Sequence, residues 1–107
     1  MGRGVDLLVG IENVMGGWGH DTLTGNRLAN ALHGDTGNDH LIGEAGNDRL
    51  KGGGGDDWLE GGDGRDQLWG DAGNDMLSGG SGNDTLYADA GNDRYDGGAG
   101  VDTLVFA

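Results

Sequence analysis

The chain has 107 residues, including 27 glycines but no proline or cysteine, and nineteen acidic residues against six basic ones give a formal net charge of −13. That length suits one domain, the lack of cysteine excludes a disulfide framework, and so acidic a surface is a poor match for nucleic acid. No apolar run of the about 18 residues needed for a membrane span occurs.

In chain order, residues 1–9 show neither a basic region nor a sustained apolar stretch, so no amino-terminal signal peptide is visible. Leu7 to Met15 carries a faint nine-residue pattern, with Gly10, Glu12 and Val14 in the places held further along the chain by glycine, aspartate and leucine. Residues 1–15 are therefore predicted as a degenerate capping repeat. From there a leucine or its stand-in recurs every nine residues, at Leu23, Leu32, Leu41, Leu50, Leu59, Leu68, Leu77, Leu86, Tyr95 and Leu104. An aspartate stands two residues before each, from Asp21 to Asp102, with Asn30 the one departure. Composition alone would equally suit a disordered linker. Nine of the twelve leucines on one register out of nine do not suit it, and so short a fixed period marks a solenoid of like units.

Each unit has nine positions, with the leucine at position 8. Glycine holds position 1 except at Ala88 and position 4 except at Leu28, and position 5 is Asn or Asp six times. Positions 1–6 are predicted as a turn in which these residues supply positive φ, and positions 7–9 as a short strand whose middle side chain points inward. Two units then close a circuit of 18 residues. The expected fold is all-β: a right-handed parallel β-roll of about five coils over residues 16–105, with residues 106–107 as its carboxy-terminal end. Turns beginning at Gly16, Gly34, Gly52, Gly70 and Ala88 line one edge, and those beginning at Gly25, Gly43, Gly61, Gly79 and Gly97 the other.

One apolar side chain per unit is a thin core for a glycine-rich backbone with high ordering entropy. An external staple is expected, and without cysteine it must be a metal or a partner. Stacked turns set aspartate over aspartate, an arrangement in which both stay ionised comfortably only with a cation between them. Carboxylates and backbone carbonyls form an all-oxygen donor set of irregular geometry, which favours calcium over magnesium, whereas zinc or copper would want cysteine or clustered histidine.

The strings GGSGNDTLY, GDAGNDMLS and GGDGRDQLW resemble the nonapeptide repeats of RTX, or hemolysin-type, proteins. The resemblance implies a calcium ion between each turn and the next on the same edge. The first turn would give the carbonyls of positions 2 and 4 and the position-6 carboxylate; the second would give the carbonyls of positions 1 and 3 and its own carboxylate. On the first edge, Gly17, Gly19 and Asp21 would face Gly34, Thr36 and Asp39, while Asp35, Gly37 and Asp39 would face Gly52, Gly54 and Asp57. Further along, Gly53, Gly55 and Asp57 would face Gly70, Ala72 and Asp75, and Asp71, Gly73 and Asp75 would face Ala88, Ala90 and Asp93. On the second edge, Glu44, Gly46 and Asp48 would face Gly61, Asp63 and Asp66, and Gly62, Gly64 and Asp66 would face Gly79, Ser81 and Asp84. The last pair there sets Gly80, Gly82 and Asp84 against Gly97, Ala99 and Asp102. An eighth pair, in which Gly43, Ala45 and Asp48 face a turn carrying Leu28 and Asn30, is expected to hold an ion weakly or not at all. Seven divalent ions would bring +14 to a chain of −13.

By the same resemblance, the chain is expected to be a secreted, extracellular, non-enzymatic module of a larger bacterial protein exported by a type I system. It would fold on meeting external calcium and support the folding and secretion of its parent. Its partners would be calcium and the parent's other domains. The run DTLVFA resembles the end of such rolls and no secretion signal comes after it, so a fragment is expected. The alternative function is an accessory substrate- or partner-binding module of a secreted hydrolase, lyase, epimerase or toxin.

Competing motifs are weak. Gly52–Gly55 is not followed by the Lys-Ser or Lys-Thr of a phosphate-binding loop, and Asp35–Asp39 has no flanking helical pattern to make an EF-hand. No nucleophile elbow or Ser/His/Asp constellation stands apart from the repeat, and the Thr-x-Asn row of calcium-dependent ice binders is absent. His20, His33 and His40 fall at positions 5, 9 and 7 and are expected to be solvated. Outward residues form two ladders, Thr22–His40–Trp58–Met76–Arg94 and His33–Lys51–Trp69–Tyr87–Val105. Trp58, Trp69 and Tyr87 there read either as cross-strand contacts shielding a thin coil or as a docking surface.

Overall fold

A computed structural model describes residues 4–7, 13–17, 19–89 and 91–106. One parallel sheet holds β1 (Gly4–Leu7), β3 (Asp21–Thr24), β5 (His40–Ile42), β7 (Trp58–Glu60), β9 (Met76–Ser78) and β11 (Arg94–Asp96), in that order. The other holds β2 (Asn13–Met15), β4 (Ala31–His33), β6 (Arg49–Lys51), β8 (Gln67–Trp69), β10 (Thr85–Ala88) and β12 (Thr103–Phe106). Consecutive strands alternate between sheets, so the chain winds as a β-solenoid of about five coils, with no helix among the described residues. No helix there is long and apolar enough to cross a membrane.

Partners lie 18 residues apart from β2 onward: Val14 on Leu32, Leu41 on Leu59, Leu68 on Leu86, Leu86 on Leu104. The first strand differs. Gly4 pairs with Asp21 and Asp6 with Leu23, an offset of 17, so the nine-residue register reaches back to Val14 but not to β1. Gly10 and Glu12, assigned to the degenerate unit, lie outside the described residues.

Strand alternation turns positions 6 and 8 to the same inward side. Leu23, Leu32, Leu41, Leu50, Leu59, Leu68, Leu77 and Leu86 are 0–2 % exposed and make one continuous seam, against which Tyr95 packs partly buried. Full burial of each leucine contributes roughly 1.5–3 kcal/mol.

The turns differ from expectation in one respect. Positive φ falls at positions 2 and 4, as at Gly53 and Gly55 (φ 90° and 100°), and not at positions 1 or 5. Position 2 adopts it even without glycine, at Asp35, Glu44 and Asp71 (φ 74°, 73° and 66°). Glycine at position 1 has a steric cause instead: a Cβ on Gly34 would stand 2.5 Å from Asp39 Oδ2 and 2.8 Å from the Gly52 carbonyl.

The outward ladders keep the expected register and are stacked. His40 lies flat on Trp58 (centroids 4.2 Å apart, planes 7° apart) and Trp69 on Tyr87 (4.5 Å, 5°), with the Arg49 guanidinium 5.6 Å from the Trp69 ring centre. His40 Nε2 also meets Glu60 Oε2 at 2.5 Å, so this histidine is a structural contact rather than a solvated group.

Candidate metal centre

The turns stack through two hydrogen-bonded ladders. In the inner one, the backbone N–H of each position-6 residue donates to Oδ1 of the aspartate one coil further on. Asp39 donates to Asp57 at 2.7 Å, Asp48 to Asp66 at 2.9 Å, Asp57 to Asp75 at 2.8 Å and Asp66 to Asp84 at 2.9 Å. Asp21, Asp75 and Asp84 continue it onto Asp39, Asp93 and Asp102. In the outer ladder, the position-5 side chain accepts the N–H of position 5 one coil further on. Asn38 Oδ1 takes Asp56 N–H, Asp56 takes Asn74, and Asn74 takes Asn92, at 2.8–2.9 Å. His20 is the first rung, its Nδ1 accepting from Asn38 at 2.8 Å. Asn and Asp therefore sit at position 5 to cap backbone donors, not to supply positive φ as the sequence suggested.

The inner ladder uses one carboxylate oxygen and leaves the other. Asp39, Asp48, Asp57, Asp66, Asp75 and Asp84 are 1–3 % exposed, and their Oδ2 atoms are buried without a hydrogen-bond partner. Around each is more oxygen. In the turn 34–39, an ideal Cβ on Gly34 finds Asp39 Oδ2 and the Gly52 carbonyl; one on Gly53 finds the Asp35 carbonyl; one on Gly55 finds the Gly37 carbonyl. The carbonyls of positions 2 and 4 thus point forward to the next turn, and the carbonyl of position 1 points back. The same four kinds of oxygen meet between turns 43–48 and 61–66, through Asp48 Oδ2 and the carbonyls of Glu44, Gly46 and Gly61. They meet again between turns 79–84 and 97–102, through Asp84 Oδ2 and the carbonyls of Gly80, Gly82 and Gly97.

These are orphaned acceptors facing acceptors, and a hydrogen-bond donor or a cation is what such a gap lacks. Among the described residues no three His, Cys, Asp or Glu side chains converge as a metal cluster, so a cation there must take most of its ligands from backbone carbonyls. That donor set fits calcium. Of the position-3 carbonyls assigned by resemblance, that of Ser81 faces back across the gap, accepting Gly64 N–H at 3.2 Å, and Ala90 lies outside the described residues. The far end departs from the pattern. Asp71 N–H reaches Asp89 Oδ2 at 3.2 Å, and the Tyr95 hydroxyl donates to Asp93 Oδ2 at 2.9 Å, so tyrosine in the leucine register occupies an oxygen that is free further in.

Without a cation the buried carboxylates bind protons more tightly than an ordinary aspartate does. Burial first, and then neighbouring carboxylate charge, raises Asp57 and Asp66 to about 8, Asp75 to about 7, and Asp39, Asp48 and Asp84 to about 6. The N–H donated from the preceding coil pulls each part of the way back.

Overlapping segments 15–50, 24–57, 33–68, 42–77 and 69–104 match the family model of the RTX calcium-binding nonapeptide repeat. The chain belongs to that family. RTX repeats bind calcium as a structural module, and this RTX roll is a calcium-binding one. No curated protein and no solved structure matches the chain.

Proposed function

We propose that this RTX roll holds seven calcium ions, one in each turn pair with aspartate at both position-6 places, and that their binding folds it. The ligands are those assigned by resemblance, with the position-6 carboxylates and the carbonyls of positions 1, 2 and 4 the best supported. One observation carries this reading: a row of buried Oδ2 atoms without hydrogen-bond partners, set at Asp39, Asp48 and Asp84 beside carbonyl oxygens of the next turn. Bound calcium supplies the positive charge that lets both carboxylates of a pair ionise. This chain's part is to present the oxygens, exclude water and fix their spacing by the inner ladder.

Modules of this ligand type bind calcium at about 10⁻⁴ to 10⁻³ M, above cytosolic levels and near extracellular ones. The roll then stays open inside a cell and closes outside it, which suits a secreted, extracellular module that folds as its parent leaves through a type I exporter. Residues 1–15 serve as the amino-terminal cap, consistent with the 17-residue offset of β1. Circular dichroism tests the core of the proposal: the β signal is weak in chelator and rises cooperatively in millimolar calcium. An unchanged signal rejects it, and calorimetry gives the count.

A further inference from the structure

In the units of residues 16–105, Asn30 is the one position-6 residue that is not an aspartate. Its turn is the one expected to bind calcium weakly, and the structure gives the reason as a specific interaction rather than a missing charge. Asn30 Nδ2 donates to the carbonyls of Asn26 at 3.0 Å, Leu28 at 2.7 Å and Gly43 at 3.4 Å, and lies 3.3 Å from Asp48 Oδ1. Those carbonyls belong to positions 2 and 4 of its own turn and position 1 of the next, the same three that surround Asp39 Oδ2 and Asp48 Oδ2 in the neighbouring turns.

The nitrogen also stands where the partnerless oxygen stands elsewhere. An ideal Cβ on Gly25 finds Asn30 Nδ2 and the Gly43 carbonyl at 2.7 Å each, as one on Gly43 finds Asp48 Oδ2 at 2.5 Å and the Gly61 carbonyl at 2.7 Å. Surrounding oxygens fix the orientation of the amide, because only its NH₂ can donate to them. Asn26 and Leu28 do not take the positive φ of positions 2 and 4 in the neighbouring turns, yet the Leu28 carbonyl still faces Gly46.

We infer that the Asn30 side-chain amide replaces calcium between turns 25–30 and 43–48, donating to the carbonyls that an ion would otherwise take. Exchanging one oxygen for an NH₂ gives the carbonyls of the gap a donor without a cation, although Asn30 Oδ1 itself is buried with no hydrogen-bond partner among the described residues. This inference rests on the calcium reading of the other seven pairs. It makes this pair a calcium-independent clasp, one coil from the amino-terminal strands β1 and β2, that holds two turns together before any ion binds.

The test counts calcium by calorimetry and by metal analysis of dialysed protein, in wild type, Asn30→Asp, and Asn30→Asp combined with Leu28→Gly. Wild type should bind seven ions, and at least one variant should bind one more. NMR of the calcium-saturated wild type should show the Asn30 NH₂ protected from solvent exchange. Eight ions in wild type, no gain in either variant, or a freely exchanging Asn30 amide would overturn the inference. Absence of calcium binding in every protein would instead sink the calcium reading beneath it.

Discussion

Asp56 and Asp57 are neighbours in sequence and identical in chemistry, yet they belong to ladders with different consequences. Asp56 is exposed on the edge; its Oδ1 accepts Asn74 N–H, and its own N–H is capped by Asn38. Asp57 is 3 % exposed; its Oδ1 accepts Asp39 N–H, and its own N–H goes to Asp75. Each ladder consumes one side-chain oxygen per rung. What differs is the surroundings of the other, water for Asp56 and carbonyl oxygens for Asp57. The outer ladder therefore accepts His20, Asn38, Asp56 and Asn74 in sequence, since any acceptor will serve. On the proposed reading, the inner ladder binds calcium where it is aspartate and closes on itself where it is asparagine.

Acidity should separate the ladders most strongly. The inner aspartates, at about 6 to 8 in the cation-free roll against the ordinary 3.8, bind protons more tightly folded than unfolded. Their folded pKa values are raised, so their contribution to cation-free stability is fully present below about 3.8 and is lost as pH climbs through 6 to 8. In chelator, β structure should accordingly grow as pH is lowered from 8 toward 4. With calcium the trend reverses, because protons compete for the same oxygens and acid releases the ions. Dichroism-detected melting across this range should give two curves that converge in acid. Parallel curves would mean that the inner carboxylates do not control folding.

Asp57→Asn transplants the Asn30 chemistry to the middle of the stack, where the carboxylate is shared by two proposed sites. Two sites lost at calcium ten times Kd cost about 3 kcal/mol, from roughly 1.4 each. The sign should invert without calcium, since the variant no longer buries a carboxylate: in chelator at pH 8 it should keep more β signal than wild type. Urea unfolding in calcium and dichroism in chelator measure the two halves. Loss in both conditions would show that Asp57 serves packing alone.

Much of this contrast was legible in the sequence. The nine-residue period set strand spacing, the leucine seam, the pairing of alternate units and the aspartates that face the gaps, because all derive from repetition and strand alternation. Three features were hidden because each needs a neighbouring coil to be seen. Glu44, Asp35 and Asp71 conceal the positive φ at position 2, which their turns take without glycine although those at Asn26 and Asp89 do not. Asn38 and Asn47 looked like turn formers, but the N–H groups they cap belong to Asp56 and Arg65, 18 residues away. Asn30 read as a lost charge, although three carbonyls from two turns make it a donor. One signal for the second was present: tolerance of positive φ does not explain why Asn or Asp recurs at a position beside a glycine that already supplies it.

The smallest effects should come from the outer ladder, and they test whether its separation from the ion sites is complete. Asn74→Ala leaves Asn92 N–H without its 2.9 Å acceptor on an exposed edge, where water can replace it. The expected cost is about 0.5–1 kcal/mol in calcium-saturated urea unfolding, with the number of bound ions unchanged. Asp56→Asn should stay within about 0.5 kcal/mol of wild type, because Asn38 and Asn74 already perform the same rung in the coils on either side. Its calcium isotherm should also superimpose on that of wild type after the small change in surface charge is screened by salt. If Asp56→Asn lowered the ion count, the edge carboxylate would be a ligand after all, and the two ladders would form one ion-binding unit.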